Sequence, residues 1–124
     1  SYSFSLQFAI TTFFIKAARG ADGPGEPSSD GFVIFRGSKA AATTVNSISP
    51  SFVTYRQKLI DDGVRMDRGE HYEFIDDYIF SSPSTAAAVL MGRNANGLIE
   101  WKRKSGKSLK EFESDDRDGG LNPP

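Results

Sequence analysis

The sequence predicts an α+β domain, a small mixed or antiparallel sheet carrying two short capped helices. Three observations lead there. The chain has 124 residues, 38 % of them apolar and 25 % charged, which suits one domain with a single core and neither a disordered nor a fibrous chain. Ser-Pro-Ser occurs twice, at 49–51 and 82–84, each time opening a helical run with serine at the cap and proline in the first turn. Around these runs lie short aromatic and β-branched stretches bounded by Gly, Asn and Asp, the pattern of strands and turns.

Taken in order, Tyr2, Phe4, Leu6, Phe8 and Ile10 alternate with smaller or polar residues, a period of two that reads as a half-buried strand. The alternation slips at Phe13-Phe14-Ile15, so residues 1–17 are assigned to an N-terminal strand segment with a bulge or a second strand. Residues 18–30 are rich in Gly, Pro, Ser and Asp and show no period, which predicts a flexible loop. No Lys-Ser/Thr pair follows its glycines, so a phosphate-cradling P-loop is excluded. Residues 31–113 form the expected core and 114–124 an acidic, disordered tail.

Within that core, Phe32-Val33-Ile34-Phe35 is a continuous apolar run, the mark of a strand buried on both faces. A helix then starts at Ser49-Pro50, with Phe52, Tyr55, Leu59 and Ile60 on one face, Arg56, Gln57 and Lys58 towards the other, and Gly63 as its stop. Residues 72–75 and 78–80 read as strands, with Asp76-Asp77 as a turn or bulge between them. The second helix runs from Pro83 to Met91 and stops at Gly92. Its Ala86-Ala87-Ala88 makes a slim helix that can approach another surface closely. Asn96-Gly97 reads as a turn and 98–104 as a strand. On that strand Ile99 and Trp101 share one face, which argues that Trp101 is core and not a base-stacking platform.

With no cysteine and one histidine, His71, the chain lacks the means for disulfides, thiolate metal sites or a pair of imidazoles. The acids between 61 and 77 crowd around His71, and His71 and Glu73 fall on one strand face. Their spacing matches no ligand motif, so neither metal nor cofactor is expected, and no nucleophile–base set is legible. No apolar stretch reaches the roughly 20 residues that span a bilayer, so no membrane association is expected and the cytoplasm is the expected compartment. The chain opens on Ser1 and not Met, which points to a piece of a longer protein.

The net charge of −1 conceals blocks: −1 over 1–30, +4 over 31–60, −5 over 61–80, +5 over 81–110 and −4 over the remainder. Blocks of this kind make local potentials if folding brings like signs together. The candidate site is therefore a binding site for nucleic acid. Arg36, Lys39, Lys102 and Lys104 are expected to hold phosphates, with Ser38 beside them. Ser82 and Ser84 at the start of the second helix supply an anion site. Arg93, Asn94 and Asn96 are the candidates for base edges.

Gly31-Phe-Val-Ile-Phe-Arg-Gly-Ser-Lys-Ala40, Tyr72-x-Phe-x-x-Asp-Tyr-x-Phe-Ser-Ser-Pro-Ser-x-Ala-Ala87 and Gly92-x-x-x-Asn-Gly-x-x-x-Trp-Lys102 occur in this order. Together they resemble a bacterial domain family of unknown function, DUF family four-three-five-seven, found C-terminal to GIY-YIG nuclease modules. The second and third motifs are also similar to the RAMA domains associated with restriction enzymes and adenine methylases. The resemblance implies a non-catalytic accessory domain that binds DNA or reads modified bases in nuclease or restriction-modification systems. The alternative is a protein-interaction or homodimerisation module that pairs through residues 2–15 with a second copy or a parent protein.

Overall fold

A computed structural model describes residues 12–114. The alternating aromatic stretch 2–10 and nearly all of the acidic C-terminus lie outside the described residues. The fold is α+β, built on one antiparallel sheet. Its strands are β1 (Phe13–Lys16), β2 (Asp22–Ser28), β3 (Gly31–Ile34), β4 (Lys39–Ala41), β5 (Arg65–Asp67), β6 (His71–Phe74) and β7 (Tyr78–Phe80). The helices are α1 (Pro50–Asp61), α2 (Pro83–Met91), α3 (Gly97–Glu100) and α4 (residues 109–114).

The sheet order is β5-β6-β4-β2-β3-β7, with β1 on β2. The pairs 32↔80 to 34↔78 and 39↔73 to 41↔71 share one register, so β3–β4 and β6–β7 are two long strands, each interrupted once. Hydrogen bonds carry the ladder across the gap. Gly37 N–H donates to the Phe74 carbonyl and Phe74 N–H to that of Ser38, while the Asp77 carboxylate accepts the Arg36 N–H at 2.7 Å. The expected Asp76-Asp77 bulge therefore supplies a side-chain acceptor where the backbone pairing lapses.

Residues 18–30 correct the loop expectation. They hold a short 3₁₀ turn and β2, a central strand paired with β1 on one edge and with β3 and β4 on the other. Glycine serves close packing here: a Cβ on Gly25 would come within 2.6 Å of the Phe32 ring and the Val33 carbonyl. Pro24 lies opposite the β3–β4 interruption, and its carbonyl accepts both the Phe35 N–H and the Ser38 hydroxyl at 3.2 Å. A proline tolerated at such a break gives no local sign of being in a central strand. The core accordingly begins at β1, where Phe13 is fully buried, and not at residue 31.

Pro50 and Pro83 start their helices where the sequence places them. Ser82 caps α2 by accepting the Thr85 N–H, whereas the Ser49 side chain makes no cap bond. Every residue from Ala86 to Met91 is buried, and α2 packs between α1 and the sheet at β3 and β4. Its Val89, Leu90 and Met91 each contribute about 1.5–3 kcal/mol by leaving water. Arg56 overturns its assignment to the polar face of α1. It is buried at 6 % exposure, and its guanidinium donates to the carbonyls of Val89 and Ala41. Positions 52, 56 and 59 follow helical spacing, so Arg56 shares the inward face with Phe52 and Leu59.

Residues 98–104 are not a strand. Asn96 caps α3 by accepting the Leu98 N–H at 3.0 Å, and within 98–104 only Lys102 makes strand-like bridges, to Phe14 and Ser108. Trp101 is fully buried, as expected, but Ile99 is half exposed and so does not share its face. The indole stacks on Phe32 at 4.4 Å between ring centres and donates to the Pro83 carbonyl at 3.0 Å. A Cβ on Gly97 would lie 2.2 Å from the Pro83 carbonyl carbon, so Asn-Gly here permits helix-to-helix contact and not a hairpin. Among the described residues no helix is long and apolar enough to cross a membrane.

Candidate nucleic-acid interface

Trp101 positions the basic segment that follows it. With its indole anchored under α2, Lys102 is exposed and exchanges backbone hydrogen bonds with Phe14 of β1 at 2.7 and 3.1 Å. Both edges of β1 are therefore occupied at Phe14, one by β2 and the other by Lys102. Arg103 is half-buried with its guanidinium over the Phe112 ring at 5.4 Å, and Lys104 is exposed. A turn closes the segment through the Arg103 N–H to Lys107 carbonyl bond at 2.8 Å.

This arrangement lines a groove of about 500 Å³ with Lys16, Arg93, Lys102, Arg103 and Lys104. Phe14, Ile15, Ala17 and Met91 add apolar lining, and among the described residues Glu100 is the one carboxylate lining it. Glu100 pairs with Arg93 at 3.3 Å. Lys16, Lys102 and Lys104 form no ion pair among the described residues. A chain of formal charge −1 thus concentrates cations at one edge, where apolar walls strengthen their field. The groove opens at the C-terminal end of α2, the end whose carbonyls favour cations. Arg19 uses that preference from the far side and donates to the Met91 carbonyl at 2.8 Å.

The sequence-derived candidates divide. Arg93, Lys102 and Lys104 meet in the groove. Lys39 lines an adjoining cleft of about 470 Å³ with Lys16, Arg19, Asp22, Glu70 and His71, where the charges are mixed. Arg36 is exposed at the β3–β4 interruption and does not line the groove. Ser38 is fully buried, its hydroxyl spent on Pro24, which removes it from any exposed ligand surface.

At the start of α2, Ser82 holds Thr85 and the Ser84 hydroxyl accepts the Gly97 N–H at 2.9 Å. That helix end is covered by the chain itself, and it lies about 13 Å along α2 from the end that opens on the groove. Asn94 is a brace: its carbonyl oxygen accepts the Ser49 N–H at 2.9 Å and its amide donates to the Ser47 carbonyl at 3.3 Å. Asn96 caps α3. Lys16 and Arg103 complete the groove but stood outside the sequence-derived set. Lys16 is far away in sequence, and only its place just after the aromatic strand hinted at its position. The acids near His71 do not form a centre: Glu73 pairs with Arg68 at 3.2 Å, and among the described residues no three His, Cys, Asp or Glu groups are placed to hold a metal.

Fold and groove together define a small antiparallel-sheet α+β domain with a cationic edge. The chain belongs to the family described as Domain of unknown function (DUF4357), which it matches over residues 13–113. The match starts at the first residue of β1 and ends within α4, so β1 and β2 are part of the family's unit. No curated protein and no solved structure matches the chain.

Proposed function

We propose that this domain is a non-catalytic nucleic-acid-binding module, with duplex DNA as its ligand. The observation that carries the reading is the groove, lined among the described residues by five cations against a single carboxylate that is already paired with Arg93. Lys16, Lys102 and Lys104 offer ammonium groups to phosphates, Arg103 a partly held guanidinium, and Phe14 an apolar wall against deoxyribose or a base edge. Cations set beside an ion-paired carboxylate and apolar walls suit recognition of a polyanion. Resemblance to domains placed behind GIY-YIG nuclease modules, and to the RAMA domains, supports an accessory role in nuclease or restriction-modification systems. In that setting modified bases are natural targets.

The test is fluorescence anisotropy of a labelled duplex, unmodified or adenine-methylated, titrated with the protein at low and moderate salt. Binding that weakens with salt is the expected result, and a tighter complex with the methylated duplex would identify a modification reader. No binding of either duplex at low salt would overturn the proposal.

A further inference from the structure

Beside α1, two arginines are buried with no carboxylate partner among the described residues. Arg65 of β5 is 2 % exposed and Arg56 of α1 is 6 % exposed. The guanidiniums lie over the same Tyr72 ring, at 4.6 and 6.0 Å from its centre. Arg56 spends its donors on the Val89 and Ala41 carbonyls. Arg65 spends Nη2 on the Arg56 carbonyl at 2.9 Å, but its buried Nε and Nη1 have no partner among the described residues. Both arginines line a cavity of about 360 Å³ together with Thr43, Thr44, Gln57 and Tyr72, and among the described residues no carboxylate lines it. None of the ion pairs among the described residues involves either arginine.

Two like charges held together out of water repel each other and forfeit hydration, a cost that an anion between them offsets. The strain registers in their proton affinities. Burial, and then Arg56, pull Arg65 down to about 10. Burial also lowers Arg56, with Tyr72 opposing the shift and Arg19 adding to it. A carboxylate or a phosphodiester brings one negative charge, whereas a phosphate monoester brings about −1.5 to −2 at neutral pH together with several acceptor oxygens.

We infer that the cavity between α1, β5 and the 42–44 segment is a binding site for a dianionic phosphate group, free or terminal, held by Arg65 and Arg56 with the Thr43 and Thr44 hydroxyls at its mouth. The ligand is either a free phosphate or the phosphorylated end of a nucleic-acid strand. This site stands apart from the groove and does not depend on the groove's function.

The experiment is thermal melting of the full chain in chloride buffer with inorganic phosphate added, beside the variants Arg65→Met and Thr44→Glu. At a hundredfold excess over Kd the wild-type midpoint should rise on the order of 10 °C. Arg65→Met should keep only the small general effect of an excluded salt. Thr44 is exposed, so Thr44→Glu should fold even if Arg65→Met does not. It places a carboxylate at the cavity mouth, which should raise the midpoint in chloride and abolish the phosphate response. Equal phosphate shifts in the wild type and in whichever variants fold would overturn the site.

Displacement of bound phosphate by a 5′-phosphorylated oligonucleotide, but not by its 5′-hydroxyl counterpart, would assign the strand end as the source. Displacement by neither would assign free phosphate. Lys102→Gln with Lys104→Gln should leave the phosphate shift unchanged, so failure of the groove and failure of this site are distinguishable.

Discussion

Replacing Lys102 and Lys104 by Gln tests the groove quantitatively. Both side chains are exposed and unpaired, so the double variant should lie within about 0.5 kcal/mol of wild-type stability. The wild-type groove offers Lys16, Lys102, Arg103 and Lys104 to phosphates, while Arg93 is engaged by Glu100. Four phosphate contacts give a slope of log K against log salt of about −3.6, and two give about −1.8. Raising salt from about 50 to about 200 mM should therefore weaken the wild-type complex about 150-fold and the variant's about 12-fold. Anisotropy across a salt series measures both slopes on one duplex, and the melting midpoint of each protein checks the fold. A wild-type slope near zero would remove the phosphates from the interface. A variant slope equal to wild type would show that the contacts lie elsewhere on the domain.

Arg56→Met leaves the Val89 and Ala41 carbonyls without their donor; urea denaturation should show a loss of about 2 kcal/mol or more, and a loss under about 0.5 would refute the tie between α1, α2 and β4. Gly97→Ala drives a methyl into the Pro83 backbone and should cost about 2–3 kcal/mol by the same measurement, with wild-type stability in the variant refuting the close approach of α3 to α2. The Tyr55 hydroxyl has its pKa raised by burial first and then by its hydrogen bond and charge interaction with Tyr78. The unfolded chain ionises first, from its ordinary value near 10, so the stability this neutral phenol contributes is complete below that pH and declines as pH rises above it. Tyr55→Phe should flatten the alkaline fall of the urea midpoint between about pH 9 and 11, and an identical profile would refute the assignment.

Signals that act within one turn or one strand survive into the tertiary structure, and those that depend on distant partners do not. Pro50 and Pro83 start helices because fixed φ and a missing N–H act within one turn, and Gly63 and Gly92 stop them for equally local reasons. The apolar run at Phe32 and the Tyr72 and Tyr78 segments read as strands because short aromatic and β-branched runs favour extended backbone. Arg56 shows the opposite case: its spacing places it inward on α1, but its charge argues for water. The carbonyls that reconcile the two belong to Val89 and Ala41, on other elements.

By itself the sequence determined the α+β class, the two proline-led helices, the strands of the central motifs and the basic character of the segment after Trp101. Each of these follows from propensity, periodicity or charge within a short window. Tertiary structure alone decided that Gly-Pro-Gly-Glu-Pro is a central strand, since its glycines are set by the Phe32 ring and its Pro24 by a break in the neighbouring strand. It likewise decided that Lys16 joins Lys102, that the serines at the start of α2 are spent within the fold, and that Arg56 and Arg65 share one cavity. These outcomes depend on which distant backbone or ring comes into contact, a quantity that no local window of sequence contains.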